Sequence, residues 1–132
     1  MEFIKYTCKK GRHDFTPNRL KFYNGDVKME YMVKFTENTK YILGNDDQWD
    51  WNKGGGLSNH LFTNFKNSMM WGWRYLPGGN LFECTGYFHI NGETEYAGKG
   101  FPNTTFPVLT NDVFKVTLVR KNKQYSVYFQ HE

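Results

Sequence analysis

SMMWGWRYLPGGNLFECTGYFHINGETEYA, residues 68–97, decides the fold class. Apolar and polar residues alternate on both sides of Pro77-Gly78-Gly79-Asn80, and a second turn dipeptide, Asn91-Gly92, follows. Period-two alternation marks a half-buried strand, and Asn-Gly supplies the left-handed conformations that a two-residue hairpin turn needs. The stretch therefore reads as a three-strand antiparallel meander over 70–76, 81–90 and 93–97. Its registers are explicit. Across the first turn Tyr75 opposes Phe82, Trp73 opposes Cys84 and Trp71 opposes Gly86; across the second, Phe88 opposes Glu95 and Gly86 opposes Ala97. The face carrying Trp71, Trp73, Tyr75, Phe82 and Phe88 is continuous and apolar, so it is assigned to the core. The reverse face is mixed: Leu76 beside Leu81, Arg74 beside Glu83, Gly72 beside Thr85, Met70 beside Tyr87, and Ser68 beside His89.

Working outward, residues 18–35 form a second hairpin unit broken at Asn24-Gly25. Val27, Met29, Tyr31, Val33 and Phe35 make an every-other-residue apolar series, with Lys28, Glu30 and Lys34 on the other face and Met32 out of pattern. Near the other end, 113–120 and 124–130 read as a hairpin turning at Asn122-Lys123, with Leu118 opposite Val127 and Val116 opposite Phe129. Between these units the signals weaken. Residues 41–43 suit a short strand, 44–56 an irregular segment, and 57–65 one or two helical turns built on Leu57, Leu61, Phe62 and Phe65. Pro102 and Pro107 make 101–111 extended irregular backbone or an edge strand. The expected architecture is all-β: a compact antiparallel β-sandwich or partly closed β-barrel of seven or so strands, with one short helix at 57–65, in a single domain spanning 1–132.

Composition agrees with sheets. The 132 residues include 12 Phe, 9 Tyr and 4 Trp beside 13 Gly, while Ala97 is the sole alanine. Aromatic residues suit a pleated surface, and alanine-poor chains build few helices. Seventeen basic against 13 acidic side chains leave a net charge of +4, too small to name a partner. No leader pattern and no run of 18 apolar residues is present, so a cytoplasmic setting without membrane contact is the default, and an extracellular one holds if the chain is already processed. Cys8 and Cys84 are too few for a disulfide framework and are expected as reduced thiols.

The polar stretch richest in chemistry is Asp46-Asp47-Gln48-Trp49-Asp50-Trp51-Asn52-Lys53. Flat rings beside acid and amide oxygens suit a sugar, whose C–H face packs on an indole while its hydroxyls need acceptors and donors. Noncatalytic binding of a carbohydrate or similar polar small ligand is thus the expected function. Trp49, Asp50, Trp51 and Asn52 are the loop candidates, and Arg74 and Glu83 a polar patch on the sheet. The competing account of the loop is a surface connection with an indole folded onto the core. If Trp51 lies at the surface, Trp51→Ala should weaken binding and leave the fold intact.

Two other classes are carried. Lys5, Lys9, Lys10 and Arg12, with Lys115, Arg120, Lys121 and Lys123, could meet the phosphates of a nucleic acid or nucleotide while exposed rings stack on bases. Edge strands and exposed aromatics could instead make a homo-oligomer or protein-interaction module. Catalysis has no assigned residues: Glu93 and Glu95 share a face without a defined cleft, and His60 near Ser58 or Ser68 lacks a nucleophile elbow. Neither an EF-hand pattern nor zinc-ligand spacing occurs, so no metal or other cofactor is expected.

Overall fold

The computed structural model describes residues 2–5, 7, 23–58, 66–101 and 104–132. Among these, nine strands follow in chain order: β1 (Val27–Lys34), β2 (Asn52–Ser58), β3 (Ser68–Leu76), β4 (Leu81–Ile90), β5 (Glu93–Ala97), β6 (Gly100–Phe101), β7 (Phe106–Val108), β8 (Val113–Lys121) and β9 (Gln124–His131). Helix among the described residues is limited to single 3-10 turns at Glu37–Thr39, Asp46–Trp49 and Pro77–Gly79. No helix among the described residues is long and apolar enough to cross a membrane.

The strands make two sheets that do not close into a barrel. One has the order β1-β8-β9; the other runs β2-β3-β4-β5-β6, with β7 paired to β4. The β3–β4 register is the one read from alternation, from Ser68 opposite His89 to Leu76 opposite Leu81. Leu118 opposes Val127 and Val116 opposes Phe129 in the β8–β9 hairpin. Its turn residues Asn122 and Lys123 both adopt left-handed conformations, φ 50° and 61°, as a two-residue hairpin turn requires.

The second meander turn is shorter-reaching than its pattern implies. The β4–β5 ladder stops at Phe88 opposite Glu95 instead of continuing to Gly86 and Ala97. Tyr96 and Lys99 exchange backbone hydrogen bonds of 2.8 and 2.9 Å, which curls the chain away, and the Ala97 amide donates to Thr85 Oγ1 at 3.3 Å instead.

The middle of the chain differs more. Residues 41–43 are not a strand, and the irregular segment ends at Trp51, because Asn52–Ser58 is strand β2 paired with β3. The Gly54-Gly55-Gly56 run is a bulge: Lys53 to Gly56 spans the length that Gly72 to Met70 spans on β3. A Cβ on Gly54 would fall within the Trp71 indole. Glycine stands here for close approach of backbone to a ring, not for flexibility. Of the expected helix, Leu57 and Ser58 belong to β2, and 59–65 lie outside the described residues. The arm at 18–22 and Pro102 also lie outside them. Pro107 sits in β7 opposite Glu83, off the main strand path.

The core lies between the sheets. Phe82, Cys84 and Met69 from one and Phe114, Val116 and Leu118 from the other are fully buried. Phe35, just past β1, joins the layers: its ring stacks on Phe82 at 4.3 Å and meets Phe114 at 5.4 Å. Trp71 packs edge-on to Phe114 at 6.2 Å. Trp71 and Trp73 thus belong to the core face, Trp73 remaining partly buried. Cys84 is a free thiol whose titration burial pushes upward, so it is unreactive. Cys8 lies outside the described residues.

Candidate functional site

Strict alternation leaves a second surface to the larger sheet. Since Trp71, Tyr75, Phe82 and Cys84 face the core, their neighbours Gly72, Arg74, Glu83, Thr85 and Tyr87 face outward. The segment entering β2 crosses this outer face, held there by a buried amide. Gln48 Oε1 accepts from the Leu43 amide at 2.7 Å, and its Nε2 donates to the Tyr41 and Tyr75 carbonyls at 3.2 and 3.1 Å. Both ends of the side chain are satisfied, so a buried polar group becomes a rivet between loop and sheet.

Past that rivet the two indoles part. Trp51 is only 6% exposed, lying against Gly72 on one side, with the Arg74 guanidinium 4.3 Å from its ring centre. Trp49 is 51% exposed. Arg74 fixes both: its Nε donates to Glu83 Oε2 at 2.7 Å and its Nη1 to the Trp49 carbonyl at 2.9 Å. Thr105 Oγ1 in turn donates to Glu83 Oε1 at 3.4 Å. A planar cation that stacks and hydrogen-bonds at once is a role suited to arginine rather than lysine.

These groups border an open recess of about 360 Å³. Trp49, Asp50, Trp51 and Arg74 line it together with Lys53, Tyr87, Tyr96, Ala97 and Gly98. Four of the six residues expected from sequence therefore converge. Asn52 and Glu83 do not line the recess: Asn52 Nδ2 donates to the Tyr41 hydroxyl at 3.0 Å and the Trp73 carbonyl at 3.3 Å, while Glu83 is spent on Arg74. Asp50 is exposed, and among the described residues its carboxylate has no hydrogen-bond or ion-pair partner.

The opposite wall was not singled out by sequence. Tyr87 and Tyr96 stack at 5.2 Å and 10°, and Lys53 Nζ sits 4.8 Å from the Tyr87 ring centre. Desolvation, then Tyr96 and Asp50, raises the Tyr87 phenol above its ordinary value, so its hydroxyl stays protonated as a hydrogen-bond donor. The signal for this wall was available in alternation, which puts Tyr87 and Tyr96 outward; Gln48 gave none, being one polar residue in a polar run.

Beside that wall His89 is buried, its Nδ1 2.9 Å from Ser68 Oγ. Burial, then Lys53 and Lys99, lowers its pKa from the ordinary 6.5. The unfolded chain then takes up this proton at higher pH than the folded one, so stability falls as pH drops below 6.5. Urea midpoints measured against pH should show this loss and a shallower one in His89→Gln; equal slopes in the two proteins would contradict it.

Comparison with protein-family models, curated proteins and solved structures gives no match.

Proposed function

We propose that the chain is a noncatalytic carbohydrate-binding domain whose site is the recess on the outer face of the larger sheet. The observation that carries this reading is the half-exposed Trp49 indole next to the Asp50 carboxylate, which has no partner among the described residues, on a segment riveted by Gln48 and Arg74. A sugar offers an apolar C–H face and a rim of hydroxyls. Trp49 takes the face, Asp50 accepts from hydroxyls, and the Tyr87 phenol donates to a ring or hydroxyl oxygen. Preorganisation matters because it removes the entropic cost of ordering the loop on binding.

Trp51 has a different part from the one its sequence position suggests. With one side on Gly72 and Arg74 over its ring, it builds the wall, and Trp49 alone of the two indoles serves as a stacking platform. Trp49→Ala is expected to weaken saccharide binding at least about tenfold, equivalent to roughly 1.4 kcal/mol, while changing stability by no more than about 0.5 kcal/mol. Isothermal titration across a panel of neutral and charged oligosaccharides, with single-stranded DNA included, at low and physiological salt, checks both numbers. Saccharide-selective binding lost with Trp49 supports the reading. Sequence-tolerant DNA binding with steep salt dependence, indifferent to Trp49, overturns it.

A further inference from the structure

We infer that the recess is built for an acidic saccharide, one bearing carboxylate or sulfate groups, an inference that rests on the carbohydrate reading above. The charges around the recess divide unequally. Arg74 is neutralised by Glu83 at 2.7 Å. Lys53 and Lys99 have no carboxylate within ion-pair distance among the described residues. Both ammonium groups lie instead against aromatic rings: Lys53 Nζ is 4.8 Å from the Tyr87 ring centre and Lys99 Nζ is 5.9 Å from that of Tyr96. Since Tyr87 and Tyr96 stack on each other, their inner faces are taken, and the lysines occupy the outer ones. The result is a column of cation, ring, ring and cation laid across the sheet from β2 to the turn after β5.

Alternation keeps nearby acids off this surface. Glu93 and Glu95 occupy the β5 positions between which Thr94 points the other way, and Tyr96 shares the face of Thr94. Among the described residues, Asp50 is the single carboxylate lining the recess. Lys53 lines the recess and Lys99 flanks it beyond Tyr96, so among the described residues two ammonium groups without an ion-pair partner border a recess that carries one such carboxylate. Ring contact holds the lysines in place without neutralising them, so each retains a full charge for an anion on the ligand. Placement on either side of the tyrosine pair favours a chain carrying several anionic groups over a single small anion.

The test compares polygalacturonate with its fully methyl-esterified form, which keeps the sugar skeleton and removes the charge, and with a sulfated glycan and neutral dextran. The parent protein is expected to bind the uronate at least about tenfold more tightly than its ester at physiological salt, and Lys53→Gln/Lys99→Gln should bring that ratio toward one. Both lysines are exposed, and thermal melting of the double variant verifies that the fold is retained. Equal affinity for uronate and ester in the parent, or an unchanged ratio in the double variant, overturns the inference. Binding of dextran or the ester without preference for either acidic chain overturns it too, yet leaves the carbohydrate reading standing. Absence of saturable binding to all four overturns both. Equal, salt-steep binding of single-stranded DNA, insensitive to Trp49→Ala, assigns the lysines to nucleic acid and also overturns both.

Discussion

Trp51→Ala is expected to destabilise the fold by about 3–5 kcal/mol, the range for removing a buried large aromatic side chain. The sequence alone makes a silent change in stability conditional on the Trp51 ring lying at the surface. Burial removes that condition: the indole fills the space between Gly72 and the Arg74 guanidinium. Removing it opens a cavity above β3 and takes the stacking partner from a cation. Arg74 keeps Glu83, so no charge is left unpaired, and the loss is one of packing. For a domain whose whole stability is roughly 5–15 kcal/mol, this is a large share. Chemical denaturation should show a lower midpoint at unchanged slope. A midpoint shift no larger than that of Trp49→Ala would show that Trp51 is not part of the wall.

Phe82→Ala should cost a similar amount, about 3–5 kcal/mol, by a different route. Phe82 is fully buried at the junction of the two sheets. Its ring stacks on Phe35 at 4.3 Å and contacts Tyr75 at 5.1 Å and Trp73 at 6.1 Å. The surrounding side chains come from different strands, and closing the gap would require the sheets to move together, so relaxation recovers little. Phe82→Leu, which fills much of the volume, should restore most of the stability. If Phe82→Ala and Phe82→Leu are equally destabilised, the loss comes from the aromatic contacts and not from the cavity.

The two variants separate what the sequence makes legible from what it hides. Wherever alternation was unbroken, as from Ser68 to Ile90 and from Val113 to Gln130, strand pairing followed to the residue, because a one-residue slip would turn every apolar side chain outward. β2 was hidden because Gly54-Gly55-Gly56 has no side chains to alternate. Its bulge brings Gly54 against the Trp71 indole, where a Cβ would clash, a contact between segments that no local pattern encodes. The site was half visible for a related reason. Trp49, Asp50, Trp51 and Arg74 were found from residue type, but Asn52 and Glu83 were assigned to ligand and are used to hold Tyr41 and Arg74. A polar side chain does not announce whether its partner will be ligand or backbone. Which indole is exposed was equally beyond reach of the sequence, since it depends on Gln48 reaching the Tyr75 carbonyl 27 residues away.

The most direct test of the account is a chemical-shift map of the isotope-labelled protein titrated with the tightest-binding saccharide from the panel. The account predicts saturable shifts at the Trp49 indole N–H and at the amides of Asp50, Lys53, Tyr87, Tyr96 and Gly98, with Phe82 in the core and the β9 strand unmoved. Saturable shifts that gather along β9 and spare the Trp49 indole would contradict it.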